Sequence, residues 1–295
     1  MNRRLRLGHQ LSSSTDPVAA ALRAEELGFD VVLAADHVGP GWAPMPTLAA
    51  IAAATQRIRL GTLVLNNDMR NPVQLAWEAV TIDRLAGGRF ELGLGAGHTP
   101  SEYAATGLQR SGAAERKRRL AESVEIIRGL VDGDVIDHDG VHFRIEGARI
   151  VRAMQEHLPI LVGGNGAELL AHAGRHADIV GLQGLGRTHE DGHSHEVKWS
   201  SRHLDEQNGQ VRAAAGVRSD DVEFDYTRMT IRLPPSVIDR PDHAYFVLAP
   251  VGIVTDRAPD RNEWAGFEHF FSFRFRTGLG HDRIFTRWGR TTCPS

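Results

Sequence analysis

The chain has 295 residues, of which 41% are hydrophobic and 24% are charged, and its formal net charge is −3. This length suits two average domains or one large α/β barrel. The balanced charge is unlike the basic surface of a nucleic-acid-binding protein, and no run of 18 apolar residues predicts a membrane span. A single cysteine, Cys293, excludes a disulfide framework and a cysteine-ligated zinc site.

Strand and helix signals alternate along the first 182 residues. Short apolar runs predict strands, and amphipathic or alanine-rich segments predict helices. Asp16 followed by Pro17 is typical of a helix start. The predicted strands are residues 5–11, 30–35, 57–66, 90–96, 159–162 and 178–182, and the predicted helices are residues 17–27, 46–55, 72–85, 113–131 and 167–175.

Three later segments are less regular. Residues 135–145 predict a β-hairpin, because Asp139-Gly140 favours the positive φ angles of a type I′ turn. Residues 183–208 are polar and rich in histidine, which is more typical of a loop than of a strand. Residues 222–233 alternate between apolar and polar side chains and predict a seventh strand.

The order of these elements predicts the fold class. Strands that are apolar on both faces and separated by helices indicate a parallel sheet. Six strand-helix units at a spacing of roughly 30 residues favour an α/β fold of the TIM (β/α)8 type, with insertions, over a doubly wound sheet. No eighth unit is predicted, so we expect this barrel to be incomplete at its carboxyl end.

The amino-acid composition changes near Leu233. Residues 1–233 contain 25 leucines, whereas residues 234–295 contain 2 leucines and 7 of the 11 phenylalanines. We therefore predict a barrel domain at 1–233 and an atypical tail at 234–295. Two explanations stay open: a frame change in the gene near Leu233, or a genuine but unusual carboxyl-terminal cap.

Polar residues and glycines follow the predicted strands. In a parallel barrel, the carboxyl ends of the strands carry the functional groups. His37 and His98 are the candidate acid–base catalysts, because imidazole titrates near neutral pH, although either could simply bond a loop carbonyl. The strand-end residues are Asp36, His37, Asn66, Asn67, Gly95, Gly97 and His98.

A glycine-rich turn, Gly163-Gly164-Asn165-Gly166, directly precedes a predicted helix. Its backbone N–H groups and the helix dipole would suit a phosphate, and the alternative is a tight turn without a ligand. The other glycine motif, which ends at Gly97, does not complete a dinucleotide fingerprint, because the next residue is His98.

The loops suggest two further groups. Glu102 and Tyr103 begin the loop after the fourth strand and are expected to close over the pocket, although Tyr103 could equally pack in the core. The histidines of residues 189–203 invite a metal site, but Gly192 and the lack of a helical apolar face favour a solvated loop. We therefore predict no metal.

Several segments resemble the bacterial-luciferase-like oxidoreductases, in particular the branch that uses the deazaflavin coenzyme F420. The resemblance covers residues 5–182. It rests on HQLSS at 9–13, AEELGFDVVLAADH at 24–37, IRLGTLVLNND at 58–68, residues 82–97, SEY at 101–103, the helix at 118–129 and PILVGG at 159–164.

The resemblance implies positions for the cofactor. A flavin-type ring would lie at the strand ends beside His37, with Asp36 and the glycines Gly95 and Gly97 allowing its close approach. A bulged third strand around Leu65, Asn66 and Asn67, often with a cis peptide, would cushion the ring. The turn formed by Gly163, Gly164, Asn165 and Gly166 would take the cofactor phosphate. Trp42 would lie near the substrate pocket, and His98 replaces a glutamate of the F420-dependent relatives.

The resemblance also implies a function. The expected reaction is hydride transfer between coenzyme F420 and a small organic substrate. The alternatives are an FMN-dependent monooxygenase that uses O₂, and an inactive family remnant with a defective carboxyl terminus. The expected partners are a small-molecule substrate and a second copy of the chain, without nucleic acid or membrane. Because residues 1–14 lack the apolar region of a secretory signal, the expected location is cytoplasmic.

Overall fold

A computed structural model gives the fold and describes residues 6–12, 15–39, 41–182, 185–188, 195–197, 201–231 and 269–276. The strands are β1 (Arg6–Gln10), β2 (Val31–Ala34), β3 (Arg59–Thr62), β4 (Leu65–Asn66), β5 (Phe90–Gly95), β6 (Ile136–Asp139), β7 (Arg144–Ala148), β8 (Ile160–Gly163), β9 (Ile179–Leu182), β10 (Leu185–Thr188), β11 (His195–Val197), β12 (Glu223–Ile231) and β13 (His269–Arg276). The helices are α1 (Pro17–Glu26), α2 (Pro44–Ala54), α3 (Pro72–Leu85), α4 (Pro100–Thr106), α5 (Ala113–Asp132), α6 (Ala167–His176) and α7 (Ser201–Ala215).

The main sheet curls and closes on itself. Parallel pairing runs from β1 through β2, β3, β5, β8 and β9 to β12. β13 lies between β12 and β1 and is antiparallel to both. The predicted barrel-type α/β fold is thus confirmed, and its insertions include the separate hairpins β6–β7 and β10–β11. An antiparallel strand occupies the eighth position, where a (β/α)8 barrel has a parallel one.

Helix starts follow the expected local chemistry. The Asp16 carboxylate accepts hydrogen bonds from the backbone N–H groups of Val18 and Ala19 at the start of α1. Asn71 caps α3 in the same way, and each capping residue is followed by a proline. The predicted elements of the first 182 residues agree with the structure to within about two residues, while the short helix α4 was not predicted.

Three local predictions were wrong. The third strand is split into β3 and β4, and a cis peptide joins Leu63 to Val64 between them. The β6–β7 hairpin turns through residues 140–143, since the Gly140 N–H donates to the Phe143 carbonyl at 3.0 Å. Residues 183–208, predicted as a loop, include β10, β11 and the first half of α7.

The apolar core has two parts, because successive side chains of a strand point to opposite faces. Val32, Leu60, Phe90 and Leu92 belong to a large cluster shared with the helices. The alternate positions form a smaller cluster inside the barrel: Val31, Leu33, Leu63, Leu161 and Ile179. Both faces of the parallel strands are therefore buried, as the sequence predicted.

An ion cluster lies at the amino-terminal ends of the strands, opposite the predicted site. The Glu91 carboxylate, whose side chain is 1% exposed, pairs with the guanidinium groups of Arg6 and Arg59. Arg6 also contacts Glu223 at 3.0 Å, which links β1 to β12 on either side of β13. Within the described parts of the chain, no helix has the length and apolar character that a membrane crossing requires.

Candidate active site

A cavity of about 140 Å³ lies at the carboxyl ends of β1 to β5. It brings together seven of the predicted site residues from four segments of the chain. The lining residues are Gln10, Ala35, Asp36, His37, Leu63, Val64, Leu65, Asn66, Gly97, His98 and Glu102. The strand ends thus converge on one site, as the parallel barrel requires.

His37 and Glu102 form a pair at this cavity. The His37 Nδ1 atom lies 2.7 Å from the Glu102 Oε1 atom. The Glu102 side chain is 9% exposed and the His37 side chain is 59% exposed, so a buried carboxylate holds an accessible imidazole. When the carboxylate accepts the Nδ1 proton, the Nε2 atom carries the lone pair that can accept a proton. This arrangement suits acid–base chemistry at His37.

His98 lies beside the same imidazole. The ring centroids of His37 and His98 are 5.9 Å apart, and the rings are nearly perpendicular, at 88°. Both candidate catalytic histidines therefore face one cavity. Their carboxylate partner, Glu102, is the third residue of α4, which begins directly after the loop that carries His98.

Asp36 lines the cavity, but its carboxylate is occupied by the protein. Arg70 donates to it from Nη1 at 2.5 Å and from Nη2 at 3.1 Å. The backbone N–H of Asn66 donates to the same carboxylate at 2.8 Å. These contacts fix the end of β2 to β4, so the structure gives Asp36 a positioning role beside the site.

The floor of the cavity requires glycines. A Cβ atom on Gly95 would lie 2.6 Å from Val64 Cγ2, and one on Gly163 would lie 3.0 Å from Val64 Cγ1. Gly97 has φ of +72°, and a Cβ there would approach the Asn66 side chain and the Tyr103 hydroxyl to under 3.0 Å. The backbone can thus come close to a flat ligand where a side chain would block it.

Buried polar atoms without hydrogen-bond partners in the described part of the chain lie under this floor. They include Asn66 Nδ2, Asn67 Oδ1 and the Tyr103 hydroxyl. Tyr103 is 2% exposed, and burial raises the pKa of its hydroxyl. Tyr103 therefore packs beneath Gly97 in the core. Asn67 donates from Nδ2 to Ser123 Oγ at 3.0 Å and does not line the cavity.

The glycine-rich turn forms a second polar feature, next to the cavity floor. Gly163 pairs with Gly95 across β8 and β5. Gly166 has φ of +102° and precedes α6, whose first turn has no side-chain cap. The Lys117 Nζ atom lies 2.9 Å from the position of a Cβ on Gly166 and has no ion pair with another described residue. An anion could bind between this ammonium group and the helix start.

Two side chains complete this turn. Asn165 Oδ1 accepts a hydrogen bond from Gln207 Nε2 at 3.3 Å. Gln207 is 4% exposed, and its Oε1 atom has no partner among the described residues. The turn, Lys117 and Gln207 together therefore provide polar groups for a phosphate and its ester.

One predicted pocket residue lies apart from the site. Trp42 is 59% exposed, and its indole N–H donates to the Thr15 carbonyl at 3.2 Å. It does not line the cavity.

Other residues of the site were missed at the sequence level. Gln10 could have been found, because it ends β1 as His37 follows β2. Lys117 is one of only 2 lysines among 34 basic residues, and the sequence had given it no role. Arg70 and Gln207 carried no recognisable signal, because each acts through a partner distant in sequence.

The fold and the site define a class of protein. The chain matches the family model described as luciferase-like monooxygenase over residues 4–268, and it belongs to this family. The matched range extends beyond residues 5–182, where the resemblance was recognised, and includes residues 234–268. The domain boundary near Leu233 stays a prediction.

Particular relatives are similar over part of the chain. An F420-dependent glucose-6-phosphate dehydrogenase from Nocardia farcinica is 39% identical over 171 residues, which cover 55% of this chain and 51% of that protein. The chain thus spans about half the length of the curated relatives it matches.

Solved structures show the same fold. The coenzyme F420 dependent tetrahydromethanopterin reductase from Methanopyrus kandleri has a TM-score of 0.61 and 22% identity, covering 76% of this chain and 65% of the other. The oxygenating constituent of 3,6-diketocamphane monooxygenase from Pseudomonas putida, in complex with FMN, has a TM-score of 0.53 and 20% identity. That match covers 69% of this chain and 59% of the other.

Proposed function

We propose that this protein is an oxidoreductase that binds coenzyme F420 at the glycine-floored cavity and transfers hydride to or from a small organic substrate. The observation that carries this proposal is the His37–Glu102 pair, 2.7 Å apart, at the edge of a cavity whose floor excludes side chains. The similarity to relatives named as F420-dependent enzymes supports the choice of coenzyme.

The residues present fit such a coenzyme. A flat ring would lie over Gly95, Gly97 and Gly163, where added Cβ atoms would clash with the protein. Its phosphate would lie at the turn before α6, with Lys117 supplying a positive charge and the helix start supplying N–H groups. When bound, a deazaflavin supplies hydride chemistry, because carbon replaces the nitrogen through which flavins react with O₂.

The chain's own groups would then move the proton that accompanies the hydride. His37 accepts or donates this proton at Nε2, while Glu102 orients the ring through Nδ1. His98, 5.9 Å away between ring centroids, stands where F420-dependent relatives carry a glutamate and would contact the substrate from the other side. Glu102 therefore acts as a positioning residue and His37 as the catalytic residue.

The substrate proposal is coarser. Relatives are named for glucose 6-phosphate, so this sugar phosphate is the first compound to test. His98 makes this site different from that of the named dehydrogenases, and other small alcohols or carbonyl compounds should be tested beside it.

Separate titrations with F420 and with FMN distinguish the candidate functions. Quenching of coenzyme fluorescence by the full chain with F420 alone is the expected result. Binding of FMN alone would favour the monooxygenase, to which the family description gives support. Binding of neither coenzyme would favour an inactive remnant.

Turnover of bound coenzyme tests the roles of the side chains. His37→Ala should lower the rate about 10²–10⁴-fold, the usual contribution of an acid–base group, with little change in F420 affinity. The control is His157→Ala, an exposed histidine paired with Asp178 and outside the cavity lining. Normal turnover by His37→Ala would refute the assignment.

A further inference from the structure

A cluster of potential metal ligands lies outside the barrel, between two of its helices. Glu125 comes from α5, and His172 and His176 come from successive turns of α6. Each offers one ligand atom, and these three atoms lie within 4.8 Å of one another. The proposed oxidoreductase site does not use any of these residues.

The two imidazoles are arranged side by side. Their ring centroids are 4.5 Å apart with an interplanar angle of 25°, as expected for residues four apart on a helix. The Glu125 Oε1 atom lies 3.8 Å from His176 Nε2. Ligand atoms at about 2.0–2.1 Å from a tetrahedral zinc ion are roughly 3.3 Å apart, so small side-chain rotations would close the set.

A buried nitrogen points to a missing ligand. His172 is 6% exposed, and its Nε2 atom has no hydrogen-bond partner in the described parts of the chain. Leaving such an atom unpaired costs about 1–3 kcal/mol. Burial, together with His176 and Arg175, lowers the pKa of His172 to about 4, so the ring is in the neutral form that binds metals.

We propose that Glu125, His172 and His176 bind a divalent transition-metal ion, with Zn²⁺ as the best-suited species, and that this ion joins α5 to α6. Two imidazoles and one carboxylate are a common zinc ligand set, with a fourth position left for water. Glu125 is half-exposed, at 52% of its side chain, which gives the ion access from solvent.

The surrounding charges limit the affinity. Arg128, Arg175 and Arg218 act on His176 and would repel a cation. Two of them are compensated by Asp178, whose carboxylate lies 2.5 Å from Arg128 and 3.5 Å from Arg218. The site is therefore expected to hold one ion per chain and to weaken when Glu125 loses its charge.

The test uses the full chain and two probe ions. Equilibrium dialysis against Zn²⁺ with metal analysis gives the stoichiometry, and the visible absorption of Co²⁺ reports tetrahedral coordination. We expect one ion per chain and at least tenfold weaker binding by His176→Gln and by Glu125→Gln. The matched control Glu78→Gln removes an exposed carboxylate of α3 and should bind like the parent.

Further variants keep the outcome clear. His193→Gln tests the histidine-rich segment at 189–195, and loss of binding in this variant but not in His176→Gln would overturn the proposal. Absence of a stoichiometric ion in the parent chain would also overturn it. Both His176 and Glu125 have solvent-exposed atoms, so circular dichroism of the metal-free variants should match the parent. F420 binding should be unchanged, which separates this test from that of the proposed function.

Discussion

Replacement of Gly97 by alanine tests whether the close approach of the backbone builds the cofactor site. Gly97 has φ of +72°, and a Cβ atom there would lie under 3.0 Å from both the Asn66 side chain and the Tyr103 hydroxyl. Gly107 has nearly the same φ, +71°, but nothing lies within 4 Å of its added Cβ. The pair Gly97→Ala and Gly107→Ala therefore separates backbone strain from steric conflict.

The expected energies differ for these two variants. An alanine in the left-handed region costs about 1–2 kcal/mol, which is the whole effect expected at Gly107. At Gly97 the overpacking of Asn66 and Tyr103 adds about 1–3 kcal/mol, because both side chains are buried and cannot move into solvent. The total for Gly97→Ala is about 2–5 kcal/mol.

Two measurements check this prediction. Denaturant unfolding of each variant gives the free energies, and fluorescence titration with F420 gives the affinities. Gly97→Ala should bind F420 at least tenfold more weakly than the parent, since Asn66 lines the cavity, whereas Gly107→Ala should bind normally. Equal stability and equal F420 affinity of the two variants would refute the steric reasoning.

Three further predictions concern single charged groups. Lys117→Met should weaken F420 binding about 10–150-fold, as expected for one charge-assisted bond of about 1.5–3 kcal/mol, while Lys117→Arg and a phosphate-free deazaflavin ligand show little change in fluorescence titrations. Glu91→Gln should lower the free energy of unfolding by about 3 kcal/mol in denaturant melts, because Arg6 and Arg59 lose their buried anion; a loss under 1 kcal/mol would contradict this. Glu25 is partly buried, which alone would raise its pKa, but three backbone N–H bonds from residues 56–58 to its Oε1 atom lower the pKa below its ordinary value. Its stabilisation is therefore complete above the ordinary pKa of about 4.3 and is lost as the pH falls through the lowered value, so Glu25→Gln should be about 1–2 kcal/mol less stable at pH 7 and should approach the parent in acid, unlike Glu26→Gln.

The barrel could be predicted because its signals are local. Strands such as 31–34 and 160–163 are short apolar runs, and helices such as α1 begin with a capping residue and a proline. The order of these elements was enough to place their carboxyl ends on one side. β13 could not be predicted, because an antiparallel strand has no helix before it in the expected rhythm and its pairing depends on β1, more than 250 residues earlier.

The candidate site was predictable only where function follows the strand ends. His37, Asn66, Gly97 and His98 were found because each follows a strand directly. Trp42 was placed near the pocket by resemblance, yet its indole bonds the Thr15 carbonyl at the surface. The roles of Arg70 and Lys117 depend on long-range pairing with residues of other units, which no local pattern in the sequence encodes.

The origin of the carboxylate at the site follows from where α4 begins. F420-dependent relatives carry a glutamate directly after the fourth strand, and this chain has His98 at that position. Pro100 starts a helix two residues later, and the first turn of this helix brings Glu102 back over the strand end, where its Oε1 atom reaches His37 Nδ1 at 2.7 Å. The carboxylate is thus supplied from a helix, where it is 9% exposed and held by the turn. Because this pairing orients His37 whichever coenzyme binds, proton transfer and coenzyme choice are separable properties of the site. Glu102→Gln should accordingly slow turnover while leaving the affinities for F420 and FMN unchanged, and equal loss of rate and affinity would show that Glu102 builds the pocket instead.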